Sequence, residues 1–221
     1  MRPTDSLKRL TGQVTRIGVS RLALGLAIVL SLLALALPVW SFTELRDGSR
    51  DAHIFGWTTE TTEEFDNDVW ERTVIESYSR VGYPYPFIAS TVSATYVLAL
   101  IFLIVLVAVI VILAMPRMTT IGPLAKLLVC ILVVAVGFLA LLYPVLVLPG
   151  GLAADTDPDP VGGGFWGTAA APGATFTWGA GLGWWLLLLA ALAGTLGSAL
   201  PYLRAVRTLG PSRPQAWRPG T

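Results

Sequence analysis

The chain holds one cysteine, Cys130, one histidine, His53, and one asparagine, Asn67. A lone thiol forms no internal disulfide, so any folded loop must be held by packing, by helices or by a partner. A lone imidazole leaves no His cluster to bind zinc or copper. Asn67 is followed by Asp68-Val69, so the N-glycosylation sequon is absent. Charge is scarce as well, at 13% of residues against about 25% in soluble domains. The net charge of +1 gives no support to a nucleic-acid partner. No nucleophile motif, P-loop or dinucleotide fingerprint is present. The expectation is a protein that is not an enzyme, without cofactor or bound metal.

What the chain has in abundance is apolar sequence, 54% of the whole, gathered into four charge-free windows. They run from Leu22 to Thr43, Val81 to Pro116, Leu127 to Ala154 and Pro160 to Leu203. Each contains a run of about 18 or more apolar-rich residues, enough to cross roughly 30 Å of hydrocarbon at 1.5 Å per residue. Their apolar residues fall on all faces, unlike the striped helices of a soluble domain. The reading is transmembrane spans at 22–40, 91–115, 124–148 and 182–203. A basic lead-in (Arg2, Lys8, Arg9, Arg16, Arg21) precedes the first span, but no A-x-A-like site follows it. It reads as a retained signal-anchor.

Charge sets the expected orientation. The tail 1–21, the segment Pro116–Lys126 and the tail 204–221 hold eleven Lys or Arg and one acid, whereas 41–90 and 149–181 hold four Arg and thirteen acids. Basic residues near span ends stay cytoplasmic, so both termini and the 116–123 turn are expected inside a plasma membrane. The two acidic segments are expected outside. Trp40, Trp178, Trp184 and Trp185 fall where an interfacial aromatic belt belongs.

Segment 41–90 is predicted to hold a small sheet, with strands near Trp40–Leu45 and His53–Thr59, a turn at Arg46–Ser49, and a short amphipathic helix through Val69, Trp70, Val74, Ile75 and Tyr78. Segment 149–181 is turn chemistry almost throughout, anchored by Phe165, Trp166, Phe176 and Trp178. The tail after Leu209 is predicted to be disordered. Tyr143-Pro144 is predicted to kink the third span. Asp155, Asp157 and Asp159 read as a solvated acidic turn, because an EF-hand needs Gly and Glu where Pro160 and Trp166 stand. No ionisable residue lies at mid-membrane depth, which argues against a proton relay or ion-coupled transporter. Ala190, Gly194 and Ser198 recur every four residues and form a candidate helix-packing line.

Three stretches carry a family likeness. Leu35-Ala-Leu-Pro-Val-Trp40, Phe55-Gly56-Trp57, and Trp178-Gly179 through Gly183-Trp184-Trp185 together resemble the claudin and peripheral-myelin-protein superfamily of four-span proteins. The loop cysteine pair of that family is missing. The resemblance implies an all-α membrane protein, a four-helix transmembrane bundle with a small extracellular sheet-containing loop, and a role in contact or assembly. The composition, without cysteine pairs or sequons, points to a prokaryotic membrane. The expected partners are the lipid bilayer and other membrane subunits or a second copy of the chain. The expected interaction surface is Trp40, Phe55, Trp57, Glu60, Glu63, Glu64, Trp70, Trp166 and Trp178. Two alternatives stand beside it: a cation-selective channel or small transporter using the acidic outer face, and a structural subunit of a membrane enzyme complex whose active site lies on other chains.

Overall fold

The computed structural model describes residues 18–114, 122–157 and 162–208. Of the predicted basic lead-in, Arg2, Lys8, Arg9 and Arg16 lie outside the described residues, as do Asp159 and the predicted disordered tail, whereas Arg21 lies in the first helix. The elements in chain order are α1 (Val19–Leu35), β1 (Trp40–Arg46), β2 (Ser49–Phe55), β3 (Thr59–Asp66), β4 (Val69–Ser77), α2 (Pro86–Ala114), α3 (Pro123–Asp155), β5 (Gly167–Ala171), β6 (Ala174–Ala180) and α4 (Leu182–Thr208).

The expectation of an all-α four-helix transmembrane bundle is overturned. Among the described residues, helix accounts for 58% and strand for 24%, and the strands form one six-stranded antiparallel sheet in the order β4-β3-β2-β1-β6-β5. The sheet is not confined to the first acidic segment. Strand β1 pairs on one side with β2 and on the other with β6, so both acidic segments contribute to one sheet. Tight turns make this possible. Asp47-Gly48 and Asn67-Asp68 take positive φ at both central positions, the geometry of two-residue hairpins that match strand twist. Pro172-Gly173 closes β5 onto β6 with φ 78° at Gly173.

The short helix predicted over Val69–Tyr78 is instead strand β4. Its apolar residues fit helical spacing only because an edge strand lies open on both faces, so neither face is reserved for apolar side chains. A bulge adds to the ambiguity. Glu64 pairs with Arg72 and Phe65 with Trp70, which leaves Glu71 as the extra residue.

Among the described residues three helices, α2, α3 and α4, are long and apolar enough to cross a membrane. At 17 residues, α1 is shorter. Helix α3 runs unbroken through Pro144 and Pro149. Helices α1 and α4 pack together, α2 lies on α3 and α1, and α3 lies on α4. Much of what they turn outward is apolar, including Leu26, Leu32, Ile104, Leu146 and Leu196, each more than half exposed. A water-soluble protein rarely shows so large a contiguous apolar surface. The findings are therefore compatible with a membrane location.

The buried core is continuous from helices to sheet, running from Leu24, Phe102 and Leu187 to Trp40, Phe55 and Phe176. The chain crosses between the two layers at a tight junction. The N–H of Gly181 donates to the Val39 carbonyl at 2.9 Å and that of Gly183 to the Pro38 carbonyl at 2.7 Å.

Candidate functional site

Directly opposed residues in an antiparallel sheet share a face, so the register sorts the side chains. One row crosses all six strands as Gly167, Trp178, Phe42, His53, Thr62 and Val74. A second runs Ala180, Trp40, Phe55, Glu60 and Glu76, and a third runs Ala169, Phe176, Glu44, Asp51, Glu64 and Arg72. This face is apolar where β5 and β6 lie, carries Glu44 beside Trp40 and Phe42 on β1, and becomes charged across β2, β3 and β4. Glu60 stands at the boundary.

Glu60 is 3% exposed, and a buried carboxylate is tolerable only when its lone pairs are used. His53 Nδ1 lies 2.6 Å from its Oε1, the Thr62 hydroxyl donates to the same oxygen at 3.2 Å, and the Tyr83 hydroxyl donates to Oε2. Burial pushes the Glu60 carboxyl up. The hydrogen bonds from His53, Tyr83 and Thr62, with the charge on His53, outweigh burial and hold it below its ordinary value. Burial and the neighbouring Glu60 push the hydroxyls of Tyr78 and Tyr83 far up, and that of Tyr85 up to about 12, so all three stay neutral donors. The Tyr78 hydroxyl donates to the Gly56 carbonyl at 2.7 Å, and Tyr85 sets its ring edge-on to His53 at 5.3 Å. The segment between β4 and α2 is thus tied down onto β2 and β3.

Beside this cluster is an open cavity of about 300 Å³ lined by His53, Glu60, Thr62, Glu64, Arg72 and Tyr85, among others. Its carboxylates are engaged within the chain. Arg72 grips Glu64 through two nitrogens at 2.7 and 2.8 Å, which holds the Glu64 carboxyl below its ordinary range. Arg80 pairs with Glu76. Among the described residues, no group of three His, Cys, Asp or Glu is placed to hold a metal.

The predicted interaction residues separate into two sets. Trp40, Phe55, Trp57, Glu60 and Trp178 are buried and act as internal fasteners. The indoles of Trp57, Trp178 and Trp40 donate to the carbonyls of Ala34, Gly164 and Phe165, at 2.9, 2.9 and 3.1 Å. Glu63 and Glu64 are half-buried. Trp70 and Trp166 are about half exposed. Ala190, Gly194 and Ser198 are all buried, and a Cβ on Gly194 would meet Leu106 of α2 and Val133 of α3. Asp155 is not a solvated turn residue: its carboxylate accepts from the backbone of α2.

Sequence reading missed the exposed apolar set of the β4 edge. Val69 is 67% exposed, Ile75 69%, and nearby Val81 96%. The Asn67-Asp68 turn could have revealed it, since both residue types tolerate positive φ and here join β3 to β4. No protein-family model matches the chain, and no curated protein matches it.

Proposed function

We propose that this is a non-catalytic plasma-membrane protein that makes protein–protein contact through its sheet. The helices would hold the sheet on the outer surface with both termini cytoplasmic, as the charge distribution favours. The observation that carries the reading is the β4 edge. It is the outermost strand of the sheet on its side, nine residues long, and carries exposed Val69, Trp70 and Ile75. An edge strand offers unpaired backbone groups for an added strand, and its side chains supply specificity. Natural edges are commonly shielded by charge. Here Arg72 and Glu76 are occupied by Glu64 and Arg80, which leaves Glu71 as the other charge of the strand, while Val69, Trp70 and Ile75 stay open. The likeness to the claudin and peripheral-myelin-protein superfamily points the same way, towards contact and assembly. The cation-channel reading draws less support, because Glu60, Glu64 and Glu76 are already paired.

The test is site-directed photocrosslinking in source membranes, with the probe at Ile75, at Trp70, and at Thr168 on the opposite edge strand. The expected result is one protein species captured from Ile75 and Trp70, either a second copy or another subunit, and none from Thr168. Trp70→Ser with Ile75→Asp should reduce capture at least tenfold without moving the melting temperature. Purification as a monomer with no capture from either β4 position would overturn the proposal.

A further inference from the structure

The ends of the helices farthest from the sheet carry a feature independent of it. Between α2, α3 and α4 lies a cleft of about 170 Å³, walled by Ile112, Leu113, Ala125, Val129 and Pro201, with Lys126 and Ser198 completing it. Apolar cavities of roughly this size stay dry and take up hydrocarbon guests. The Ser198 hydroxyl is turned inward, donating to the Thr195 carbonyl at 3.1 Å, so the cleft's polar group is effectively the Lys126 ammonium.

Its surroundings favour an anion. Among the described residues at this end, the charged groups are Arg21, Lys126, Arg204 and Arg207, with no acid. The Arg21 guanidinium donates to the Leu113 carbonyl at 2.8 Å, which brings a second cation to the cleft wall. Lys126 and Ala125 belong to the first turn of α3, where Gly122 provides no side-chain cap and no acid is present. Among the described residues nothing caps the N–H groups of Leu124 and Ala125, and with the positive dipole end of α3 they favour an oxyanion. We propose that this cleft holds one acyl chain of an anionic phospholipid, with the phosphate at Lys126 and the start of α3. Basic pockets between membrane helices bind anionic headgroups in this way.

This inference rests on the membrane reading of α2, α3 and α4, but not on the β4 contact. The full-length chain would be reconstituted in vesicles of equal phosphatidylglycerol and phosphatidylcholine, released, and the retained lipid identified by native mass spectrometry. Recovery in the vesicle fraction reports on the membrane reading separately from lipid choice. The wild type should retain phosphatidylglycerol about fivefold over phosphatidylcholine, the effect of one Lys at a membrane surface. Lys126→Gln should bring the ratio close to one, Lys126→Arg should restore it, and Val129→Trp should expel lipid of both kinds. If Val129→Trp does not fold, the Lys126 pair decides. Equal retention of the two lipids by the wild type, or a preference unchanged in Lys126→Gln, would overturn the proposal.

Discussion

The carboxylate of Asp155, the last residue of α3, accepts a hydrogen bond from the backbone N–H of Ile88 in the first turn of α2, at 2.8 Å. Its other oxygen takes the N–H of Phe87 at 3.2 Å. One helix thus caps another from 67 residues away in sequence. Helix α2 begins with Pro86, which has no N–H, so Asp155 satisfies the next two orphan donors and places negative charge at the positive dipole end. Asp155→Ala should cost about 1–2 kcal/mol, read as a lower melting temperature in detergent. Asp155→Asn should fall in between, retaining an acceptor but not the charge. No change in either variant would show that α2 needs no cap from α3.

Acid should loosen the sheet through Glu60. Its folded carboxyl titrates below the ordinary value of 4.5, so the folded state binds fewer protons than the unfolded one as that value is approached. The stabilisation is fully present above about 4.5 and is lost as pH falls through the folded value. Tryptophan-fluorescence unfolding from pH 7 to pH 3 should show a falling midpoint for the wild type. Glu60→Gln should start lower at pH 7, by about 1–3 kcal/mol for disturbing a buried charged acceptor, and then fall less steeply. Parallel pH curves would remove Glu60 as the source.

The hydrophobic segments were legible in the sequence because a run of about 20 apolar residues has few alternatives to a long helix. The extent of the sheet was not. Strands β5 and β6 are short and rich in Ala, Thr and Gly, so they carry little side-chain signal, and their place depends on pairing with β1 from more than 120 residues away in sequence. The tryptophans were legible as important but not as buried. An indole has a large apolar body and one donor. Trp40 and Trp57 spend that donor on internal carbonyls, whereas Trp70 donates to Thr73 at 3.2 Å on an exposed strand. Glu60 was singled out as one acid among several. Its special position follows from register, which sets His53 on the neighbouring strand, and from the segment after β4, which brings the Tyr83 hydroxyl to it.

Glycine at 167 is a requirement of the Trp178 indole. The two residues are directly paired across β5 and β6, and a Cβ at 167 would lie 2.3 Å from the indole Cζ2. Gly167→Ala must therefore displace the ring and with it the bond to the Gly164 carbonyl. A cost of about 1–3 kcal/mol is expected. Trp178→Leu in the same chain should absorb most of that penalty, giving a coupling energy above 0.5 kcal/mol in a double-mutant cycle. Additive effects would mean that the ring moves aside freely.

The same reasoning ranks the glycines of the helices. A Cβ at Gly183 would come within 2.6 Å of the Leu37 carbonyl, 2.8 Å of that of Pro38 and 2.9 Å of that of Ala34. These are backbone atoms at the junction of helices and sheet and have little room to retreat. At Gly197 the obstacles are Leu24 Cγ at 2.8 Å, with the Leu24 nitrogen and Ser20 oxygen each at 3.0 Å, so α1 and α4 would be pushed apart. At Gly194 the nearest atom is the movable end of the Leu106 side chain, at 3.0 Å. Gly25 has nothing within 4 Å, and there alanine restores helix propensity of up to about 1 kcal/mol. The alanine series should thus lower the melting temperature most at 183, less at 197 and least at 194, and leave it level or higher at 25. A loss at Gly194 equal to that at Gly183 would mean that the α4 interface with α2 and α3 is as rigid as its backbone junction with α1.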